Sequence, residues 1–183
     1  SMYRTYNGNL LYHGCVPLEE DGKFKKVQIG TEFYSGRALF EELEGWARKG
    51  YYLPEGDEKT FGQDTMWFMW ANENSPLYGK ERMTTFERYF VKDPSCYYEA
   101  KNSYYNYLND NGVISAILKE FGLDPDSPAA HIINGHMPVH LKSGETPIKC
   151  GGRLLMIDGG MSRPYQRETG IAGYTLISNS YGM

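Results

Sequence analysis

Two short apolar runs each stop at a histidine beside a glycine, and this repeated arrangement constrains the fold more than any other feature of the chain. Ile132 and Ile133 lead through Asn134 and Gly135 to His136, while Leu10, Leu11 and Tyr12 lead to His13 and Gly14. Bulky apolar residues that end at a polar residue and glycine read as a buried strand with an imidazole exposed at its tip. An α/β protein presents ligands and catalytic bases from such strand ends. Two of them in one short chain suggest two imidazoles converging on one metal centre. Neutral imidazole suits Mn2+, Fe2+ or Zn2+, whereas Mg2+ prefers oxygen. Each of these histidines also suits a hydrogen-bonded structural role, and His131 and His140 suit surface or supporting positions.

The remaining pattern is that of one α/β domain over residues 1–183. Strands are expected over residues 8–13 and 24–29. Ser35 stands where a helix N-cap belongs, with Ala38, Leu39, Leu43, Trp46 and Ala47 on one helical face and Gly50 as its stop. Pro, Gly and acidic residues between Tyr51 and Lys59 predict a loop, and Gln63–Ala71 a short buried helix. The β-branched and aromatic stretch Thr84–Val91 predicts a strand. A polar, tyrosine-rich connection over 93–111 then opens a helix at Asn109-Asp110-Asn111-Gly112. In that helix Val113, Ile114, Ile117, Leu118 and Phe121 form an apolar stripe that Gly122 closes. Beyond His136 the chain reads as β throughout. A hairpin turn at 149–153 leads into Leu154–Ile157, Asp158-Gly159-Gly160 breaks that strand, and Tyr174–Ile177 forms another.

Composition excludes several classes of function. The net charge is −4, and no run of Lys or Arg offers a local anion-binding patch, so neither nucleic acid nor an anionic membrane is an expected partner. The longest apolar run, Met66–Ala71, is far too short to span a bilayer. Three cysteines without C-x-x-C spacing indicate neither a zinc knuckle nor a disulfide framework, and fit free thiols in a reducing cytoplasm. Sixteen tyrosines and eight phenylalanines imply bulky packing with polar tips reaching water.

Five strings stand in order along the chain: Leu11-Tyr12-His13-Gly14-Cys15-Val16-Pro17-Leu18, Met83-Thr84-Thr85-Phe86-Glu87-Arg88-Tyr89-Phe90, Ile132-Ile133-Asn134-Gly135-His136-Met137-Pro138-Val139, Ile157-Asp158-Gly159-Gly160, and Thr169-Gly170-Ile171-Ala172-Gly173-Tyr174-Thr175-Leu176. With Phe61-Gly62-Gln63-Asp64-Thr65-Met66-Trp67, they make the sequence resemble the class III fructose-1,6-bisphosphatases of Gram-positive bacteria over its whole length. More broadly, His-Gly followed by Gly-His-x-Pro resembles the latter half of the calcineurin-like metallophosphoesterase fold. That fold is a four-layer α/β/β/α sandwich.

The resemblance implies a binuclear centre, with Mn2+ as the metal, in which His13 and His136 hold the same one of the two ions. It also implies that Arg82, ahead of Met83-Thr84-Thr85-Phe86, binds the substrate phosphate, with Arg88 as a second candidate. Arg82 is also suited to a solvated role after Lys80-Glu81, and Arg88 to pairing with a neighbouring carboxylate. Tyr165 is implied to reach the phosphate with its hydroxyl, and Arg163 and Arg167 to hold the distal phosphate of a bisphosphate sugar. Asp158 is suited either to orienting a ligating histidine or to capping the Gly-Gly turn, the second being the simpler role. The family reaction removes the 1-phosphate of fructose 1,6-bisphosphate to give fructose 6-phosphate in gluconeogenesis. Control by small metabolites and self-association are implied too, without residues to locate either.

The chain departs from the superfamily pattern in one large respect. It contains no D-x-H, Gly56-Asp57 is not followed by the expected Asp-Arg, and Gly8-Asn9 runs into Leu10. The bridging Asp, the Asn ligand, the other ion's ligands and the catalytic histidine are therefore expected in a portion ahead of Tyr3, and this chain is expected to be the later part of a catalytic domain. Two rival readings stay open. One is another metallophosphoesterase, acting on phosphoproteins or dinucleoside polyphosphates. The other is a non-catalytic structural fragment that folds against its missing half or dimerises through a sheet edge.

Overall fold

The computed structural model describes residues 1–177 and 179. It is of mixed α/β class, with a five-stranded sheet, a two-stranded sheet and five α-helices among the described residues. The chain divides into two compact units, one formed by Ser1–Met2 and Cys15–Tyr107, the other by Tyr3–Gly14 and the chain from Leu108 onward.

The second unit holds the large sheet, in the order β1 (Tyr3–Tyr6), β2 (Asn9–Tyr12), β5 (His131–Asn134), β7 (Leu154–Met156), β6 (Ile148–Lys149). The outer pairs are antiparallel, whereas β2, β5 and β7 run parallel, with Leu10 opposite Ile132 and Ile132 opposite Leu154. These three residues are fully buried. The β1–β2 hairpin turns on Asn7-Gly8, both with positive φ, the backbone that two-residue hairpin loops demand. A Cβ at Gly8 would sit 2.7 Å from the Ala129 carbonyl oxygen, so the turn also lies tight against the chain entering β5.

Helix α4 (Asn111–Glu120) is built as its sequence predicts. Asp110 caps it by accepting a bond from Val113 N–H at 2.9 Å, and Ile114, Ile117 and Leu118 are completely buried. Gly122, at φ 78°, ends it with the paired bonds Gly122 N–H to Lys119 O and Leu123 N–H to Leu118 O. Phe121 packs edge-on to Tyr3, with ring centroids 4.9 Å apart. The expected all-β remainder is corrected by α5 (Arg163–Thr169), where Pro164 occupies the first turn, a position that tolerates its missing N–H. The strand expected over Tyr174–Ile177 does not form as far as it is described. Gly173 makes a single bridge to Asp158, and Tyr174 N–H bonds Ile157 O.

The first unit is organised around a helical hairpin of α1 (Gly36–Tyr52) and α2 (Asp57–Ala71), beside a small sheet of β3 (Val27–Ile29) and β4 (Glu32–Tyr34). Leu39, Phe40 and Leu43 supply the buried face of α1, while Ala38 is exposed. Gly50 does not stop α1. It is buried within the last turns, where α2 crosses, and only Leu53–Gly56 separates the helices. Helix α2 is six residues longer at its start than expected and is not buried. Gly62, Thr65 and Met69 are covered, but Met66, Trp67 and Trp70 face outward. The expected strand at Thr84–Val91 is instead a helix, α3 (Thr85–Phe90), which places Arg88 on a helical turn, where it donates to Thr84 Oγ1 and Tyr97 O. Strand propensity of Thr and aromatic residues reflects packing on a pleated surface. Among the described residues no strand pairs with this segment to offer that surface.

Candidate metal centre

The parallel strands β2, β5 and β7 end side by side, and their carboxyl ends lead into His13, Gly135-His136 and Ile157-Asp158. Pairing continues past the strands. Gly135 N–H donates to His13 O at 2.9 Å, and Ile157 N–H to Asn134 O at 2.9 Å. Asn134 is almost wholly buried and donates its side-chain amide to Gly14 O at 2.8 Å, pinning the end of β2 to the end of β5. A buried amide bonded to backbone in this way fixes the register of both histidine-bearing turns. The sequence signal for Asn134, a lone polar residue between Ile133 and Gly135, had pointed only to the end of a strand.

His136 takes a left-handed backbone, φ 65°, and Met137 N–H bonds back to Gly135 O at 2.7 Å around it. This is a γ-turn of the rare positive-φ kind, which stores strain on a non-glycine residue. Gly135, by contrast, has ordinary space. A Cβ there would meet Asp158 Cβ at 3.5 Å and His13 O at 3.8 Å, so the unusual geometry belongs to the histidine rather than to its glycine.

The consequence is that His13 Nε2 and His136 Nδ1 face each other at 3.0 Å, with ring planes inclined at 62°. Two nitrogens bound at about 2.0–2.1 Å to one ion lie about 3.0–3.4 Å apart, depending on coordination angle. The observed separation is therefore that of neighbouring donors in a single shell, and equally that of one imidazole hydrogen-bonded to another. His13 is exposed and His136 half-buried, so the pair is open to solvent and to ligands. Among the described residues no group of three or more His, Cys, Asp or Glu side chains could hold a metal ion. The imidazole pair thus fits two positions of a transition-metal shell, which the described residues do not complete.

Asp158 serves the turn that follows it. Its Oδ1 accepts from Gly160 N–H at 2.7 Å, and its carbonyl accepts from Val139 N–H at 2.8 Å. Gly159 and Gly160 are required by what packs on them, since Cβ atoms would lie 2.7 Å from Ile171 Cγ2 and from Tyr165 Cβ respectively. Tyr165 therefore stands on α5 directly over the Gly-Gly turn, with its ring exposed, and Arg163 and Arg167 on the same helix are exposed as well. Arg82 lies in the other unit, exposed, with its Nε donating to Tyr98 O at 3.2 Å.

Cys15, two residues after His13, is no candidate donor. It is fully buried in the first unit, where loss of solvation pushes its thiol up to about 12. Sequence reasoning passed over Glu99, whose carboxylate accepts from Lys80 Nζ at 2.8 Å and from Thr84 N–H and Oγ1 at 2.9 and 2.8 Å. It organises the segment that carries Arg82 and α3. The cysteines are free, and no helix among the described residues is long and apolar enough to cross a membrane.

All of residues 1–183 match a family model described as Firmicute fructose-1,6-bisphosphatase. The chain is 55% identical over 184 residues to the fructose-1,6-bisphosphatase class 3 of Clostridium novyi (strain NT), an alignment covering 100% of this chain and 27% of that protein. The class 3 proteins of Clostridium acetobutylicum and Clostridium botulinum (strain Langeland) are each 53% identical with the same coverage. The chain thus spans about a quarter of the length of these curated relatives. No solved structure matches it.

Proposed function

Because this chain belongs to the Firmicute fructose-1,6-bisphosphatase family, we propose that it supplies two metal-ligating imidazoles, His13 and His136, to a phosphatase that hydrolyses the 1-phosphate of fructose 1,6-bisphosphate to give fructose 6-phosphate. The reading is carried by one observation, the 3.0 Å approach of His13 Nε2 to His136 Nδ1 at the ends of neighbouring parallel strands. Both donors are imidazoles, which favours a first-row transition ion such as Mn2+ over Mg2+. The remaining donors, including those of a second ion, come from polypeptide outside these 183 residues. The mixed sheet is then one of the two sheets of a four-layer α/β/β/α metallophosphoesterase sandwich, with residues 1–183 as the later part of one catalytic domain working in gluconeogenesis in the cytoplasm.

Metal ions bound there would neutralise charge on the transferring phosphoryl group and acidify the attacking water. This chain's own groups do the rest. The strained γ-turn holds the His136 ring toward His13, and Asn134 keeps the two turns in register. The Tyr165 hydroxyl donates to a phosphate oxygen, and the planar guanidinium fork of Arg82 is matched to phosphate oxygens. Arg163 and Arg167 hold the distal phosphate of the sugar. The 183-residue chain alone is catalytically silent, since the donors among its described residues do not fill a metal shell.

The test is Mn2+-dependent phosphate release from fructose 1,6-bisphosphate by the full-length class 3 protein containing this stretch. His13→Ala and His136→Ala should each lower the rate by about a hundredfold or more, and normal turnover in either variant removes that assignment. The 183-residue chain alone should release no phosphate. Robust turnover by it would contradict the incomplete donor set.

A further inference from the structure

The first unit carries large aromatic faces that nothing in it covers. On α2 the residues Gly62, Thr65 and Met69 turn inward, which leaves Met66, Trp67 and Trp70 as a continuous outward stripe. Trp67 and Trp70 touch edge-to-face at 5.2 Å and are 66% and 62% exposed. Helix α3 is more extreme. It has six residues, none buried, and Phe86, Tyr89 and Phe90 are 74%, 78% and 81% exposed, with Phe86 and Phe90 stacked at 6.5 Å. Helices shorter than about 12–15 residues are marginal in water unless packing holds them. The inner side of α3 is held through Arg88, which donates to Thr84 Oγ1 and Tyr97 O and lies 5.4 Å over the Tyr97 ring. Large contiguous aromatic exposure marks a surface made to be covered.

We infer that these faces of α2 and α3 are the seat of the remaining polypeptide of the class 3 chain, an interface made within one molecule. Three observations select this occupant. The curated relatives extend far beyond the stretch that this chain matches, so most of their length lies outside it and is available as a covering layer. Helix α2 carries Asp57, Glu58 and Asp64 against the single Lys59, which is the wrong charge for seating an apolar face on an anionic membrane. The two faces also belong to separate helices, one of them too short to stand uncovered, as expected of elements stabilised by a large partner layer rather than by a small transient one. The inference rests on family membership and is independent of the metal centre.

Hydroxyl-radical footprinting of the full-length class 3 protein at dilutions where it is monomeric tests it. Rates at Trp67, Trp70, Phe86, Tyr89 and Phe90, each normalised to the free amino acid, should fall to within about twofold of that at the buried Tyr104. Labelling at rates near those of free amino acids would overturn the inference. So would protection that disappears on dilution, because the occupant would then be a second copy. Catalytically dead protein serves equally well, so loss of the phosphatase reading would leave this result standing.

Discussion

His13 Nε2 and His136 Nδ1 lie 3.0 Å apart although they stand 123 positions apart in the chain. If this pair supplies two donors of a metal shell, the isolated chain retains weak, stoichiometric affinity for a transition ion. Titration with Zn2+, followed by the imidazole carbon-bound protons in NMR, should move His13 and His136 together at one equivalent while His131 and His140 stay in place. Replacing either ligand by alanine should weaken binding by roughly tenfold or more, at least as much as losing an outer hydrogen-bond partner does. Independent shifts of the two rings would show that they do not share an ion.

The crossing of α1 and α2 gives a second test. A Cβ on Gly50 would lie 2.6 Å from the Gly62 carbonyl carbon, and one on Gly62 would lie 2.4 Å from Gly50 N and 2.5 Å from Trp46 O. The obstructing atoms are backbone, which cannot swing aside, and Trp46 further locks the crossing by packing edge-on to Phe61 at 4.5 Å. Gly62→Ala should therefore cost about 3 kcal/mol, the upper end for overpacking, and lower Tm by roughly 6–12 °C for a chain of this size. Gly45, on α1, has nothing within 4 Å of its Cβ position. Gly45→Ala should leave Tm unchanged or raise it slightly, through better helix propensity. Equal effects of the two substitutions would refute the close crossing.

These particulars show where the sequence is legible. Helix α4 was readable from cap to stop because Asp110, the stripe from Val113 to Phe121 and Gly122 all act locally. The His-bearing strand ends were readable for a similar reason, since short apolar runs bounded by glycine have few alternatives. Gly50 was misread because a glycine needed for helix contact and a glycine that ends a helix look alike in one dimension. Thr84–Val91 was misread because its helix depends on Glu99 and Tyr97, partners supplied from later in the chain. The Asn7-Gly8 hairpin carries a local signal in its Asn-Gly pair, and the strand expected over 8–13 is corrected there, since Gly8 belongs to the turn and the strand starts at Asn9. The mutual approach of His13 and His136 depends on parallel pairing of β2 with β5, which no local pattern encodes.

Glu99 ties three parts of the first unit together, and its titration should be visible in acid. Burial alone would raise its carboxyl, but the Lys80 ammonium and the two Thr84 donors outweigh burial and bring it down from 4.5 to about 2. A carboxylate with a lowered folded pKa contributes stability that is fully present above the unfolded value, near 4.5, and is lost as pH falls through about 2. The Glu99 side chain is 18% exposed and Lys80 30%, so screening trims the contribution to roughly 2–3 kcal/mol. Glu99→Gln should therefore be less stable than the parent by about that amount at pH 7, and the gap should close between pH 4.5 and 2 in denaturant titrations. Asp93 and Glu145 are also held below the ordinary carboxylate range, with bonds to Ser95 lowering the first and bonds to His140 and Lys149 outweighing burial in the second. The variant therefore keeps part of its acid sensitivity, and only the difference between the two curves isolates Glu99. A difference that stays constant across that range would mean the Glu99 contacts contribute packing and geometry rather than charge.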